Sequence, residues 1–254
     1  MRLPEGQRMR HNPDYAVDGA ELIGMVKDLI RENPWCTFVS HVPPVQGESA
    51  APGDGPGLGE RPSLVASHYP VMLEEDVFPE RAGTCDSADE IVLLSHVGRP
   101  DEQRHQLGGH ELLAVIQGPH GYISPGWYGT RPNVPTWNFA VAHLSGIPEM
   151  LPDAENLAVL DRLVEHFEKV LPGPHLLHAT EENSDYAYRI VRGTVGFRMR
   201  ITHIEAKEKM NQDKPADSVR SVIGHLRGDG PYADAALADR MERVNAQKLE
   251  ADDD

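Results

Sequence analysis

Cysteine is scarce. Only Cys36 and Cys85 occur, in different segments, and they form no CxxC. That excludes a disulfide-built scaffold and a cysteine-rich zinc site, and it predicts free thiols in a reducing compartment. No apolar run approaches the roughly 18 residues of a membrane span. The start, "MRLPEGQRMRHNPDY", carries bases but no apolar core, so a secretory signal is not expected and the cytoplasm is. Positive charge is also in short supply. Acids outnumber bases 40 to 24, for a net charge of -16. A broad basic face of the kind that neutralises phosphates is therefore absent. DNA binding and attachment to anionic membranes are disfavoured. Several catalytic signatures are missing too: no GxGxxG, P-loop, HExxH or GxSxG stretch occurs.

What is present is a succession of short apolar segments. Residues 18–33 predict an amphipathic helix, with Asp18 and Glu21 as a capping pair and Leu22, Ile23, Val26, Leu29 and Ile30 on one face. Strands are predicted at 35–42, 63–73, 90–97, 111–118, 120–124, 136–146 and 194–206. The spacings between the first six are too short for parallel crossovers, so the sheet is antiparallel. Helices are predicted at 101–107, 153–170, 181–192 and 215–227. In the second of these, Leu157, Leu160, Val164 and Phe167 share a face. Residues 43–62 contain five prolines and five glycines and read as a flexible surface insertion. The tail from 228 is acidic and helix-prone. The fold class is mainly β (α+β), a barrel-like sheet with peripheral helices.

Four groups could carry chemistry. Ser67 with His68, and Ser95 with His96, sit on two predicted strands. Such histidines can bind a ligand or iron, or be satisfied by backbone. Arg99 ends the second of these strands, where it could grip a phosphate or simply be solvated. The stretch 117–138, "QGPHGYISPGWYGTRPNVPTWN", joins aromatic rings to glycine and proline. It suits either stacking on a planar ring or a tight barrel corner. "KEKMNQDKPAD" (207–217) is a local basic cluster in an acidic chain, able to hold an anion or to serve as a polar connection. His105 and His110, five apart, read as surface histidines, since the pair lacks zinc spacing.

"QGPHGYISPGWY", "VPTWNFAVAH", "RGTVGFRMRI" and "KMNQDKPA", in this order and spacing, resemble the PaiB-type FMN-binding family, often labelled negative transcriptional regulators. "LVASHYPVML" and "SHVGRPD" resemble two further family strands. The resemblance spans about residues 10–227, leaving 43–62 and 228–254 outside the usual pattern. It implies one split β-barrel domain over 10–227, related to the pyridoxamine-phosphate-oxidase-like flavoproteins. It also implies a homodimer with FMN in a cleft between the subunits. By the same resemblance, His96 and Arg99 lie near the phosphate, and Ser67 and His68 line the cleft. Gln117, His120, Tyr122, Ser124, Trp127 and Tyr128 build the cleft and the dimer contact, with Tyr122 and His68 the candidates for catalysis. Lys209, Gln212 and Lys214 close over the cofactor or its phosphate. Two positions depart from the family pattern: Asp101 and Asp213 stand where amides are usual, and a carboxylate beside a phosphate repels it.

The leading expectation is a PaiB-like FMN-binding protein with flavin redox chemistry on a small-molecule substrate, or with a regulatory role. The family is also similar to haem-dependent piperazate synthases, which form an N–N bond. That alternative implies haem b with His68 as the iron ligand. A third reading is a transcriptional regulator without catalysis, which the charge disfavours.

Overall fold

A computed structural model describes residues 19–43, 63–79 and 91–251. The insertion 44–62, the capping residue Asp18 and Cys85 lie outside the described residues. Among those described are eight strands and eight helices. This is the expected α+β architecture, an antiparallel sheet decorated with helices. The chain groups into two compact units. A large unit comprises Ile23–Ile116 and Ala142–Glu205, and a small unit comprises Met1–Leu22, Gln117–Val141 and Ala206–Asp254.

In the large unit the antiparallel strands run in the order β6 (Pro148–Met150), β7 (Thr194–Arg200), β3 (Val92–Gly98), β2 (Ser63–Leu73), β1 (Trp35–Val42) and β4 (Leu112–Ile123). The first eight residues of β2 pair with β1, from Trp35 opposite Pro70 to Val42 opposite Ser63. Its last three residues pair instead with β3, Val71 facing Ser95 and Leu73 facing Leu93. Pro70 marks the change of partner. It has no N–H to lose from a ladder, and its carbonyl accepts a 2.8 Å bond from the Ser95 hydroxyl.

Strand β1 alternates as its sequence suggests, with Cys36, Phe38, Ser40 and Val42 inward. Phe38 meets Phe197 of β7 edge to face, with ring centroids 5.4 Å apart. Burial pushes the Cys36 thiol up to about 12, so it stays protonated and unreactive.

Three elements differ from expectation. The strands expected at 111–118 and 120–124 form one continuous β4 of 12 residues. Pairing of β4 with β1 ends at Ile116. Pro119 therefore takes no donor from that ladder and need not break the strand. The strand expected at 194–206 is two, β7 and β8 (His203–Lys209). Between them Ile201 N–H bonds to Ile91 and Thr202 N–H to Ser145. Third, α4 (Asp153–Glu168) buries Asn156 and Val159, while Phe167 stays 42% exposed. A glycine explains the rotation. A Cβ on Gly196 of β7 would stand 2.5 Å from Asn156 Oδ1. The missing side chain admits Asn156, whose amide bonds to Thr194 Oγ1 at 3.1 Å. Val159 then completes a cluster with Met72, Val77 and Leu94. Helix α1 (Gly19–Glu32) buries Val26, Leu29 and Ile30 as expected. Its Arg31 forks onto Asp76 and Glu75 of α2 (Glu74–Val77).

In the small unit β4 continues beside β5 (Thr136–Gly146), and β5 beside β8. Helix α6 (Ala216–Leu226) buries Val219, Val222, Ile223 and Leu226. The acidic tail is more than a fringe. It forms α7 (Ala235–Val244) and α8 (Ala246–Ala251), and Leu237, Ala238 and Met241 are wholly buried. Asp234 caps α7, accepting from Leu237 N–H at 2.9 Å.

At Gly146, an added Cβ would lie 2.3 Å from the carbonyl oxygen of Arg200, whereas at Gly193 it would meet nothing within 4 Å. Gly146→Ala is expected to cost about 1–3 kcal/mol in urea unfolding, because backbone rather than a flexible side chain must yield. Gly193→Ala should be near neutral, and equal effects of the two would contradict this packing.

Candidate functional site

In the large unit, Ser67 and His68 fall on opposite faces of β2, as the period of two requires. Ser67 is buried and His68 exposed. The partner of Ser67 is a residue the sequence placed at the surface. His105, at the end of α3 (Arg99–His105), is 1% exposed. Its Nδ1 lies 2.7 Å from Ser40 Oγ and its Nε2 lies 2.8 Å from Ser67 Oγ. A neutral imidazole satisfies both: one ring N–H donates to a serine and the other nitrogen accepts from its counterpart. Burial lowers the His105 pKa, against a weaker opposite pull from Asp101.

His96 packs edge to face on Tyr69 at 5.8 Å. Its Nδ1 is buried without a partner among the described residues, and burial lowers its pKa as well. The Tyr69 hydroxyl accepts from Gly98 N–H at 3.0 Å and donates to Asp101 Oδ2 at 2.6 Å. The carboxylate that departs from the family pattern is therefore engaged by a phenol. Arg99 donates through Nε to the Arg192 carbonyl at 2.5 Å. Its terminal amino groups have no partner among the described residues. A cavity of about 490 Å³ also opens in this unit, lined by Val71, Leu73, Val77, Arg162 and His166 among others. None of the sequence-predicted site residues reaches it.

The small unit brings together most of the remaining candidates, at two cavities. The first, about 390 Å³, is lined by Tyr128, Thr136, Lys209, Asn211, Asp213 and Lys214, with the 132–134 segment. Lys209 bonds to the Thr136 hydroxyl. Lys214 sits over the Tyr128 ring at 5.6 Å and 3.1 Å from Asp213. Asn211 adopts a left-handed φ of 62° and its buried Nδ2 has no partner among the described residues. Burial lowers the Lys209 pKa, partly opposed by Asp213. Gln212 does not enter this cavity. Its amide is spent on its own loop, accepting from Met210 N–H at 2.6 Å and donating to the Glu208 carbonyl at 2.7 Å.

The second cavity, about 520 Å³, is walled by Tyr122, Trp127, His225 and Tyr232, with Ser124, Asp229 and three glycines. Trp127 stacks on His225 at 5.1 Å and 14°. Tyr232 lies 5.1 Å from Tyr122, tilted by 46°, and 6.5 Å from Trp127 at 63°. Ser124 caps the 3-10 turn Pro125–Tyr128, accepting from Gly126 N–H at 3.3 Å. Gln117 and His120 line neither cavity. The His120 Nδ1–H donates to the Gly118 carbonyl at 3.0 Å, and the Gln117 amide reaches Nε2 at 3.2 Å. Among the described residues no cluster of three or more His, Cys, Asp or Glu could hold a metal ion. No helix among them is long and apolar enough to cross a membrane.

Residues 9–203 match the family described as "Putative FMN-binding domain". The chain belongs to that family. It is 32% identical to "Protease synthase and sporulation protein PAI 2" of Bacillus subtilis, over 52% of this chain and 62% of that protein. It is 29% identical to the uncharacterised YKL070W of Saccharomyces cerevisiae, over 47% of this chain and 66% of the other. The chain thus spans just under two thirds of each of these relatives. Among solved structures, the flavocytochrome Anf3 of Azotobacter vinelandii overlays with a TM-score of 0.46 at 12% identity, covering 80% of this chain and 72% of that one. Lys209, Asn211 and Lys214 fall beyond the matched residues.

The His105 arrangement predicts a pH dependence. Its folded pKa lies below its unfolded value of about 6.5, so the unfolded chain binds more protons and stability falls as pH drops through 6.5. Urea midpoints at pH 7.5 and 5.5 should diverge more in the native chain than in His105→Asn. The excess slope should approach about 1.4 kcal/mol per pH unit. Equal slopes would contradict a buried neutral imidazole.

Proposed function

We propose that the chain binds FMN, with its phosphate in the small unit's lysine-lined cavity, and serves flavin redox chemistry on a small molecule. One observation carries this: two ammonium groups and an orphaned buried amide donor converge on one cavity in a chain of net charge -16. A buried donor without a partner costs about 1–3 kcal/mol, which an anionic oxygen would recover. Family membership supplies the flavin. Lys209 and Lys214 would neutralise the phosphate dianion, Asn211 would donate to it, and the Tyr128 ring would hold Lys214 in place. When bound, FMN would supply the electron transfer, and the protein its orientation and electrostatics. Asp213 in the same cavity works against this charge and sets a limit on affinity. A homodimer, as the family resemblance implies, belongs to the same proposal. Exposed apolar residues such as Leu64 at 77% and Trp35 at 63% offer surface for a second copy to cover.

Titration of the cofactor-free protein with FMN and with riboflavin tests the phosphate assignment. FMN should bind at least about tenfold more tightly, since a hydrogen bond to a charged group contributes roughly 1.5–3 kcal/mol. Lys214→Ala should remove most of that advantage, and Asp213→Asn should increase it. Equal affinities would overturn the proposal. So would a Soret band lost in His68→Ala, because the exposed His68 would then be a haem ligand.

A further inference from the structure

We propose that the small unit's aromatic cavity binds a compact organic cation, of the quaternary or alkylated ammonium class. It shares no lining residue with the lysine-lined cavity, so the inference does not depend on the phosphate assignment.

The first argument is charge. The lining contains one full charge, the carboxylate of Asp229, and neither lysine nor arginine. Asp229 has no ion-pair partner among the described residues. An anion would meet repulsion here with nothing to offset it, while a cation gains both the carboxylate and the field of a chain carrying -16. The second argument is ring geometry. A flat ligand needs parallel faces to slide between. Among the lining rings the parallel pair, Trp127 and His225, is already closed on itself at 5.1 Å and 14°. Tyr122 and Tyr232 also touch, at 5.1 Å, but are inclined by 46°, and Trp127 and Tyr232 stand 6.5 Å apart at 63°, so their free faces slope toward one corner. Inclined faces around one space suit a rounded cation, which each ring quadrupole attracts from a different side.

The third argument is what holds Tyr232. It follows Gly228, Asp229, Gly230 and Pro231 and remains 53% exposed. The aspartate at 234 caps α7 immediately after it, and Asp234 N–H bonds back to the Leu226 carbonyl at 2.8 Å. The loop is thus pinned at both ends. It presents a large ring to the cavity instead of burying it, as a residue serving only the core would be. His225, Asp229 and Tyr232 lie beyond the family-matched residues, while Tyr122 and Trp127 lie within them.

The test is calorimetric titration with choline and with 3,3-dimethyl-1-butanol, which has the same shape without the charge. Choline should bind saturably, and the neutral isostere at least about tenfold more weakly. Tyr232→Leu should weaken choline severalfold, and Tyr232→Phe should restore it to within about twofold, because the ring face is kept. Asp229→Asn should also weaken it. None of these exposed substitutions should change an FMN titration. Equal binding of the isostere, no saturable choline binding, or unchanged affinity in Tyr232→Leu would each overturn the proposal.

Discussion

The buried ion pair between Glu208 and Arg240 governs the small unit. Both side chains are more than nine-tenths buried, at 8% and 4% exposure. Removing two charges from water is costly, and an unpaired survivor would cost about 3–5 kcal/mol. The pair therefore admits one register of α7 against the end of β8. From that register the rest follows. Asn245 donates to the carbonyls of Met210 and Met241 at 2.9 and 2.8 Å. Lys248 reaches the carbonyls of Gln212 and Lys214. The loop from 209 to 214 is thus held from one side by the C-terminal helices, and its lysines are aimed toward the cavity on the other. A tail that looks dispensable by composition is the clamp on the candidate phosphate site.

The large unit is organised by a different constraint, a polar interior seam. Ser40 and Ser67 point inward from β1 and β2 at positions where an apolar residue would be expected. They are tolerable only because His105 satisfies both. Tyr69, two residues on from Ser67, extends outward polarity to Asp101 and the Gly98 N–H. Together these contacts tie α3 to two strands and fix the place where Arg99 emerges. The acidic substitution at 101 is compatible with this seam because the phenol donates to it.

Much of the scaffold was legible. The bounds of β1, β2 and β5 follow from apolar and β-branched runs punctuated by proline and glycine, which are local signals. What was not legible depends on long-range contacts. The inward face of α4 is set by Gly196, forty residues away, so helical periodicity pointed to Leu157 and Leu160 instead of Asn156 and Val159. His105 needs serines on two distant strands before burial makes sense, and only its five-residue spacing to His110 was visible. Among candidate ligands, Lys209 and Lys214 stood out as positive charge in an acidic chain. Gln212 looked equivalent by position, yet its amide closes its own loop. Tyr232 and Asp229 carried no signal, because a charged tail hides a single aromatic residue.

The two cavities of the small unit make opposite demands on one acidic chain. Toward an anion the overall field is unfavourable, so the lysine-lined cavity must act locally, through charge at contact distance and a buried donor. Such short-range terms survive screening, whereas the field of distant carboxylates decays within about 10 Å at 0.1 M salt. Toward a cation the distant field helps, and a single carboxylate with ring faces is sufficient. This fits one site's two lysines beside an aspartate and the other's lack of lysine and arginine. The tail takes part in both: α7 and α8 hold the lysine loop, and the turn that leads into α7 adds Asp229 and Tyr232 to the aromatic wall. A change at Arg240, Asn245 or Lys248 would therefore act on the lysine loop, and one at Tyr232 on the aromatic cavity.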